Sequence, residues 1–207
     1  ALRTAAIVGS PPTASSIERK ASVAQLSRRQ VLGTGVAAAG GVALWSVAGC
    51  ASEPNSKGLD ALRASLRGTL LLPTDASFAE QNQPANDEFA SITPIAIAMC
   101  TSPQDVAACV DWCRNEGIQP VIRGGGHSYA GFSTTQGLLI KTTPMNNVRI
   151  DDASQTVTIG AGALNKELLA NVVNTNFMVP IGTCLEVGFT GLVLGGGLGD
   201  NSRWAGV

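Results

Sequence analysis

The only histidine of the sequence, His127, directly follows three glycines in the stretch VIRGGGHSYAGFSTTQG, residues 121–137. Because glycine has no Cβ, such a backbone can approach a ligand closely and can adopt positive φ angles. A neutral imidazole has a free lone pair at pH 7, so it can act as a nucleophile or as a ligand. The stretch therefore predicts a binding loop that is lined by backbone amides and carries one reactive side chain.

A second glycine-rich stretch, IGTCLEVGFTGLVLGGGLGDNSRWAGV at residues 181–207, holds Cys184 in a Gly-Thr-Cys turn. Between residues 185 and 200 its glycines stand at positions 188, 191, 195, 196, 197 and 199. They are too dense for a simple helix, and their neighbours are too apolar for a flexible linker. Glycines at this density let a backbone pass close to a flat or highly charged group. The stretch therefore predicts a second binding segment, next to a soft nucleophile.

The elements before the first loop form one β-α-β-like unit. Residues 94–100 are a predicted apolar strand, and Ser102 followed by Pro103 is typical of a helix N-terminus. Apolar residues then recur at helical spacing up to Gly117, which is predicted to end the helix. Residues 120–123 are the next predicted strand. This strand leads directly into the glycine loop.

After the loop, the pattern predicts short strands and one helix. The strands are predicted at residues 137–141, 147–150 and 156–159, and the helix at residues 164–173. Gly160 and Gly162 follow a strand, as they would in a dinucleotide-binding fingerprint. Asn165 occupies the third glycine position of that fingerprint, which argues against a Rossmann fold.

The first 50 residues resemble an export signal. Arg28 and Arg29 precede a short, weakly hydrophobic run of mostly Ala, Gly and Val, as in a twin-arginine signal, although Val31 stands where that motif more often has Phe. The run ends in Val-Ala-Gly-Cys, similar to a bacterial lipobox. Cys50 is then either an acylated first residue of the mature protein or an incidental cysteine behind an ordinary signal. We expect an exported protein that is periplasmic, extracellular or membrane-anchored.

Residues 51–90 are predicted to connect this signal to the β-α-β-like unit. They comprise a polar linker at 51–57, a helix at 58–68, a strand at 69–72 and a surface loop at 73–91. Charge is unevenly distributed along the chain. Residues 1–50 carry five basic groups and one acidic group, whereas the remainder carries nine basic and fourteen acidic groups. The main part of the chain therefore lacks the excess of basic residues that is typical of nucleic-acid-binding proteins.

The two glycine-rich stretches together resemble a known family. RGGGHSYAG, followed in order by GTCxxVGxxGxxLGGGxG and SRxxG, is similar to the FAD-linked oxidases of the berberine bridge enzyme type. The resemblance extends over residues 91–207 and implies an α+β fold. That fold is the PCMH-type FAD-binding domain, made of two small α+β subdomains and here incomplete at its C-terminus.

The resemblance also implies which residues hold FAD. His127 matches an imidazole bonded to the 8α-methyl carbon of the flavin, and Cys184 matches a thiol bonded to flavin C6 in some relatives. The implied cofactor-binding residues are Arg123, Gly124, Gly125, Gly126, His127, Ser128 and Tyr129 in the first stretch, and Cys184, Val187, Gly188, Gly191, Gly195, Gly196 and Gly197 in the second. Covalent attachment would fix the isoalloxazine ring, and the protein would tune its redox chemistry.

The activity implied is oxidation of an alcohol, sugar or similar small-molecule C–H donor, by hydride transfer to flavin N5. Dioxygen or another acceptor would then take the electrons. Because family members continue into a substrate domain that supplies the catalytic base, no base and no metal site is expected in this chain. We interpret the sequence as the FAD-binding part of a longer oxidase. The alternative is a non-catalytic exported flavin-binding module or a degenerate one.

Each assignment has a structural alternative. His127 could cap a turn, and Cys184 could be an inert buried thiol. Cys109 and Cys113 fall on the apolar face of the predicted helix, so core packing explains them better than a metal site. Their i, i+4 spacing also disfavours a disulfide between them. The acidic pair that begins at Asp151 is predicted to be a solvated turn and not a carboxylate dyad.

Overall fold

The computed structural model describes residues 3–4, 6–7 and 56–205. Of the predicted signal segment it describes only two short strands, β1 (Arg3–Thr4) and β2 (Ala6–Ile7). Cys50 and the linker up to residue 55 lie outside the described residues. Among the helices that are described, none is both long enough and apolar enough to cross a membrane.

The main sheet has four strands in the order β3-β4-β6-β5. These strands are β3 (Thr69–Leu71), β4 (Ala96–Met99), β5 (Pro120–Arg123) and β6 (Leu138–Lys141). β4 and β5 both pair in parallel with β6, and β3 pairs antiparallel with β4. Parallel neighbours need a crossover of about a dozen or more residues, which is usually a helix. Between β5 and β6 this crossover is the glycine loop at residues 124–137, which contains no helix or strand.

Helices cover both faces of this sheet. They are α1 (Ser56–Ser65), α2 (Phe78–Asn82) and α3 (Pro103–Glu116), with a 3-10 turn at Asp87–Phe89 after α2. Alternate strand residues point to opposite faces. Ala96, Ala98 and Ile140 are buried with α1 and α3, whereas Ile97 and Leu139 are buried with Phe78 of α2. Both faces of the sheet are therefore packed.

Helix α3 confirms its predicted ends. The Ser102 hydroxyl accepts a hydrogen bond from the Asp105 N–H at 3.2 Å, and Pro103 is the first helical residue. Gly117 terminates the helix with a φ of 68°, which lies in the left-handed region that favours glycine. Cys109 and Cys113 are buried in the core between the helix and the sheet, as predicted.

A second group of elements follows the main sheet. Its strands are β7 (Val148–Asp151), β8 (Thr156–Ile159) and β9 (Phe177–Met178), and its helices are α4 (Asn165–Val172), α5 (Phe189–Leu194) and α6 (Ser202–Ala205). β8 lies between β2 and β7, and β9 pairs with β1. Val157, Leu168, Val172, Phe177, Val179 and Phe189 form its buried core. The two groups confirm the predicted α+β class.

Two sequence predictions were wrong in detail. The segment at 73–91 is not only a loop, because it contains α2 and the 3-10 turn; Phe78 is buried there against the sheet. The glycine-dense second stretch contains the helix α5. Phe189 anchors that helix in the second core, and its N–H donates to the Ala163 carbonyl at 2.9 Å. These tertiary contacts override the low helix propensity of the nearby glycines.

The remaining predicted elements lie where expected. β5 has the predicted bounds, and the predicted helix at 58–68 is observed as α1, with its start and end shifted by two or three residues. The Asp151 carboxylate accepts hydrogen bonds from the N–H groups of Ala153 and Ser154 at 3.0 and 3.2 Å. That acidic pair is therefore part of a turn, as predicted.

Candidate cofactor-binding site

The two glycine-rich stretches meet at one cavity of about 570 Å³. This volume lies within the usual range for small-molecule sites. The predicted residues that line the cavity are Arg123, Gly124, Gly126, His127, Ser128 and Tyr129 from the first stretch and Cys184, Val187, Gly188, Gly191, Gly195 and Gly197 from the second. The imidazole and thiol-bearing residues that the sequence singled out are thus brought to a single site.

Gly125 and Gly196 were predicted with this set but do not line the cavity. Gly125 instead lies at the contact between the two stretches. A Cβ at Gly125 would lie 2.5 Å from the Glu186 carbonyl oxygen and closer still to the Gly188 nitrogen. A Cβ at Gly188 would lie 2.6 Å from the Gly125 nitrogen. The two stretches therefore touch backbone to backbone, at a distance that only glycine permits.

A buried cation at the end of β5 holds the first stretch. Arg123 is 2% exposed, and its Nε donates to the Ser133 carbonyl at 2.7 Å while Nη1 donates to the Asn82 carbonyl at 2.6 Å. Burial lowers the pKa of the Arg123 guanidinium. Its Nη2 has no hydrogen-bond partner among the described residues. Arg123 therefore connects the glycine loop to α2 and retains one buried donor without a protein partner among the described residues.

A second cation lies close to Arg123. Lys141, at the end of β6, donates to the carbonyl and side-chain oxygens of Gln81 at 3.2 and 2.9 Å. Burial and the nearby charge of Arg123 lower the pKa of Lys141 to about 8, although Glu80 acts in the opposite direction. Both cations thus donate hydrogen bonds to backbone carbonyls at the end of α2. Positive charge at the base of the first stretch favours an anionic ligand.

Neutral hydrogen bonds from the start of α4 hold the second stretch. The Asn165 side chain donates from Nδ2 to the Cys184 carbonyl at 2.9 Å. The backbone N–H groups of Asn165 and Lys166 donate to the carbonyls of Val187 and Leu185, both at 3.0 Å. The free N–H groups of a helix N-terminus are thereby satisfied by carbonyls of the loop. Cys184 itself is exposed, so its thiol is accessible.

Apolar side chains form much of the cavity rim. Tyr129 is 94% exposed and Phe132 is 83% exposed, and both line the cavity. Exposed aromatic side chains beside a concave site are suited to contact a flat apolar ligand. The glycine-lined walls, the unpaired donor of Arg123 and the two nucleophiles together fit a ligand with an anionic part and a flat reactive part. FAD has both parts.

Sequence reasoning missed several lining residues: Ile122, Phe132, Ser133, Gly182, Thr183, Leu192 and Leu198. All of them lie within or next to the two stretches that the sequence singled out. Their position in those stretches was the only sequence signal that could have identified them as lining residues. Apolar residues such as Leu192 look like core residues in a sequence, because only the fold shows which face a cavity. Among the described residues, no group of three or more His, Cys, Asp or Glu side chains could hold a metal ion.

Comparison with known proteins identifies the family of the chain. A family model described as an FAD binding domain matches residues 94–207. The chain is 31% identical over 143 residues to (R)-6-hydroxynicotine oxidase of Paenarthrobacter nicotinovorans, which covers 65% of this chain and 30% of that protein. It is 38% identical over 109 residues to glucooligosaccharide oxidase of Sarocladium strictum, which covers 51% of this chain and 22% of that protein.

Solved structures agree with the sequence comparisons. The structure of Physcomitrella patens BBE-like 1 matches with a TM-score of 0.67 and 28% identity, over 72% of this chain and 33% of that chain. Across these three relatives the chain spans between 22% and 33% of the relative's length.

Proposed function

The chain belongs to the FAD-linked oxidoreductase family of the berberine bridge enzyme type, and we propose that FAD binds in the cavity that His127 and Cys184 line. One observation carries this proposal. Two nucleophiles from separate stretches of the chain line the same cavity, and glycine backbone forms its walls. A site that only packed the core would not need two reactive side chains and an unpaired buried guanidinium nitrogen.

The first stretch is suited to the pyrophosphate of FAD. Backbone amides of the glycine loop can approach phosphate oxygens closely, and such loops form anion-binding concavities. Arg123 lines the cavity and adds a buried positive charge beside this loop. Lys141 increases the positive charge behind the loop. These groups would bind and orient the anionic part of the cofactor.

His127 and Cys184 would attach the flavin covalently, the imidazole at the 8α-methyl carbon and the thiol at C6. In each attachment the new bond replaces a hydrogen of the flavin, and the side chain loses its own proton. The two electrons released in each attachment would pass to dioxygen, which would become hydrogen peroxide. The two side chains would then fix the position of the ring.

The reaction proposed for the whole protein is oxidation of an alcohol, a sugar or a similar small molecule. When bound, FAD supplies the redox chemistry, taking a hydride at N5 and passing electrons to dioxygen or another acceptor. Among the relatives, one is named for a hydroxynicotine and one for a glucooligosaccharide. We assign no catalytic base to the described residues. Export by a twin-arginine route and acylation of Cys50 stay predictions from the sequence.

Covalent attachment can be tested by comparing the full-length protein with its His127→Ala, Cys184→Ala and double variants. After acid denaturation and washing, we expect yellow protein from the wild type and from each single variant, but colourless protein from the double variant. Mass spectrometry of proteolytic peptides should locate flavin on both the His127 and Cys184 peptides of the wild type. A colourless wild-type protein that binds no FAD would contradict the proposal.

A further inference from the structure

We propose that Asn165 is a positioning residue that holds Cys184 where its thiol can bond the flavin; this rests on the proposed attachment of FAD to Cys184. Asn165 is the first residue of α4 and is 0% exposed. Its Nδ2 donates to the Cys184 carbonyl at 2.9 Å and lies 3.5 Å from the Gly182 carbonyl. Because both neighbours are carbonyls, which only accept, the amide orientation is determined.

Asn165 is the contact that joins the Cys184 peptide to the helix. The Cys184 carbonyl also accepts from the Val187 N–H at 3.3 Å, but that bond lies within the second stretch itself. The backbone N–H groups at the start of α4 donate hydrogen bonds to the carbonyls of Leu185 and Val187, which follow the cysteine in the sequence. Without the Asn165 side chain, the Gly-Thr-Cys turn would lose its hydrogen bonds to the helix.

The buried Asn165 side chain lowers the stability of the fold in one respect. The Oδ1 of Asn165 is buried and has no donor among the described residues. Leucine has a similar size and would fill the space without an unsatisfied acceptor, so packing alone does not explain asparagine here. The donor Nδ2 is what leucine lacks. We therefore assign the residue to the position of the cysteine and not to the stability of the fold.

The position of Cys184 matters because bond formation is sensitive to geometry. When the thiol attacks C6, the S–C bond forms, the thiol proton and the C6 hydrogen leave as protons, and dioxygen takes the two electrons. A displacement of the sulfur by about 1 Å can slow such a step by up to about a hundredfold. Release of the turn from α4 is expected to permit a displacement of this order.

The test compares the full-length wild-type protein with Asn165→Leu, produced and supplied with FAD in the same way. The readout is the fraction of flavin that cross-links the His127 and Cys184 peptides, followed over time by mass spectrometry. We expect cross-linking to be about ten- to a hundredfold slower in Asn165→Leu. The total flavin on the His127 peptide, cross-linked or not, should stay at the wild-type level. Thermal stability should stay close to that of the wild type, because loss of the hydrogen bond to the Cys184 carbonyl and removal of the unsatisfied Oδ1 act in opposite directions.

Lys166→Ala is the matched control. It lies next in the same helix and breaks the exposed ion pair to Glu186, 2.9 Å long, in the same stretch. Exposed pairs contribute little, so cross-linking should proceed at the wild-type rate. Retained His127-linked flavin indicates a folded variant. If Asn165→Leu does not retain it, Asn165→Ala gives the same readout with a smaller side chain.

Two negative results can be distinguished. Cross-linking at the wild-type rate in folded Asn165→Leu or Asn165→Ala would overturn the role of Asn165. Absence of flavin from the Cys184 peptide in the wild type would overturn the attachment at Cys184 and, with it, the positioning role.

Discussion

The two sides of the cavity are held by different kinds of interaction. The His127 side is the crossover between two parallel strands of the main sheet, and the cations Arg123 and Lys141 hold its base. The Cys184 side is held by uncharged hydrogen bonds from the start of α4, above all from Asn165. Charge changes should therefore affect the His127 side, and loss of amide donors should affect the Cys184 side. A change at their shared contact should affect both.

The largest effect is expected from Gly125→Ala, which breaks the contact between the two sides. The new methyl group would overlap backbone atoms of Glu186 and Gly188, which cannot move independently of the chain. We expect a loss of about 3 kcal/mol in the free energy of unfolding, measured by urea denaturation, and loss of flavin from both sides.

Gly58→Ala is the control for that substitution. Gly58 lies in α1, and a Cβ there would meet its nearest neighbours at 3.6 Å, an ordinary contact. Its stability should be unchanged or slightly higher, because alanine favours helix. If Gly125→Ala were as stable as Gly58→Ala, the backbone contact between the two sides would not exist in solution.

Arg123→Met should affect only the His127 side. The substitution keeps a long apolar chain but leaves the carbonyls of Ser133 and Asn82 without their donor. We expect a loss of about 2–3 kcal/mol in stability. Flavin on the His127 peptide should fall, while the hydrogen bonds of the Cys184 side remain.

The control for Arg123 is Arg114→Met. Arg114 pairs at the surface with Asp111 at 2.7 Å, with both side chains mostly exposed. Loss of this ion pair should lower the free energy of unfolding by less than about 1 kcal/mol. Equal effects of the two arginine substitutions would contradict a special role for the buried cation.

Lys141 gives the His127 side a pH dependence. Its pKa is about 8 in the folded protein and about 10.4 when unfolded. The unfolded chain therefore binds more protons than the folded chain between these values. Stability should rise with pH across this window, as the folded protein loses the cost of a buried charge. Relative to Lys141→Met, wild-type stability measured in urea should increase from pH 8 to pH 10; a constant difference would contradict the shift.

The smallest effect on stability is expected from Gly191→Ala on the Cys184 side. A Cβ at Gly191 would meet no atom within 4 Å, and the residue lines the cavity. In a helix, alanine should add up to about 1 kcal/mol of stability. The methyl group would nevertheless occupy space proposed for FAD, so the flavin content should fall. Unchanged flavin content would show that α5 does not lie against the cofactor.

Local sequence signals predicted most elements of both groups but missed the helices α2 and α5. Ser102, Pro103 and Gly117 act within α3 itself, so their types marked its ends. Helix α5 depends on the burial of Phe189 and on a bond to Ala163, which is distant in sequence. No local pattern encodes such contacts, and the glycines around the helix pointed away from it.

The candidate site shows the same division. His127 and Cys184 were predicted because their residue types and neighbours are distinctive. The contacts that hold them were not, since Arg123, although predicted at the site, reaches a carbonyl of α2, and Asn165 reaches the carbonyl of Cys184, across long sequence separations. In the sequence, Asn165 only argued against a dinucleotide fingerprint. Its polar contacts became visible once the helix and the loop were placed side by side.

The crossover between β5 and β6 has a consequence for engineering this chain. After β5 the chain must return along the sheet, over about 13 Å for four residues, before the parallel strand β6 can begin. The length of the segment at 124–137 is therefore demanded by topology. Substitutions outside its closely packed glycines, such as Gly125, can keep the sheet, but a deletion of several residues should separate β6 from β5. Redesign of cofactor preference in this loop should proceed by substitution at constant length.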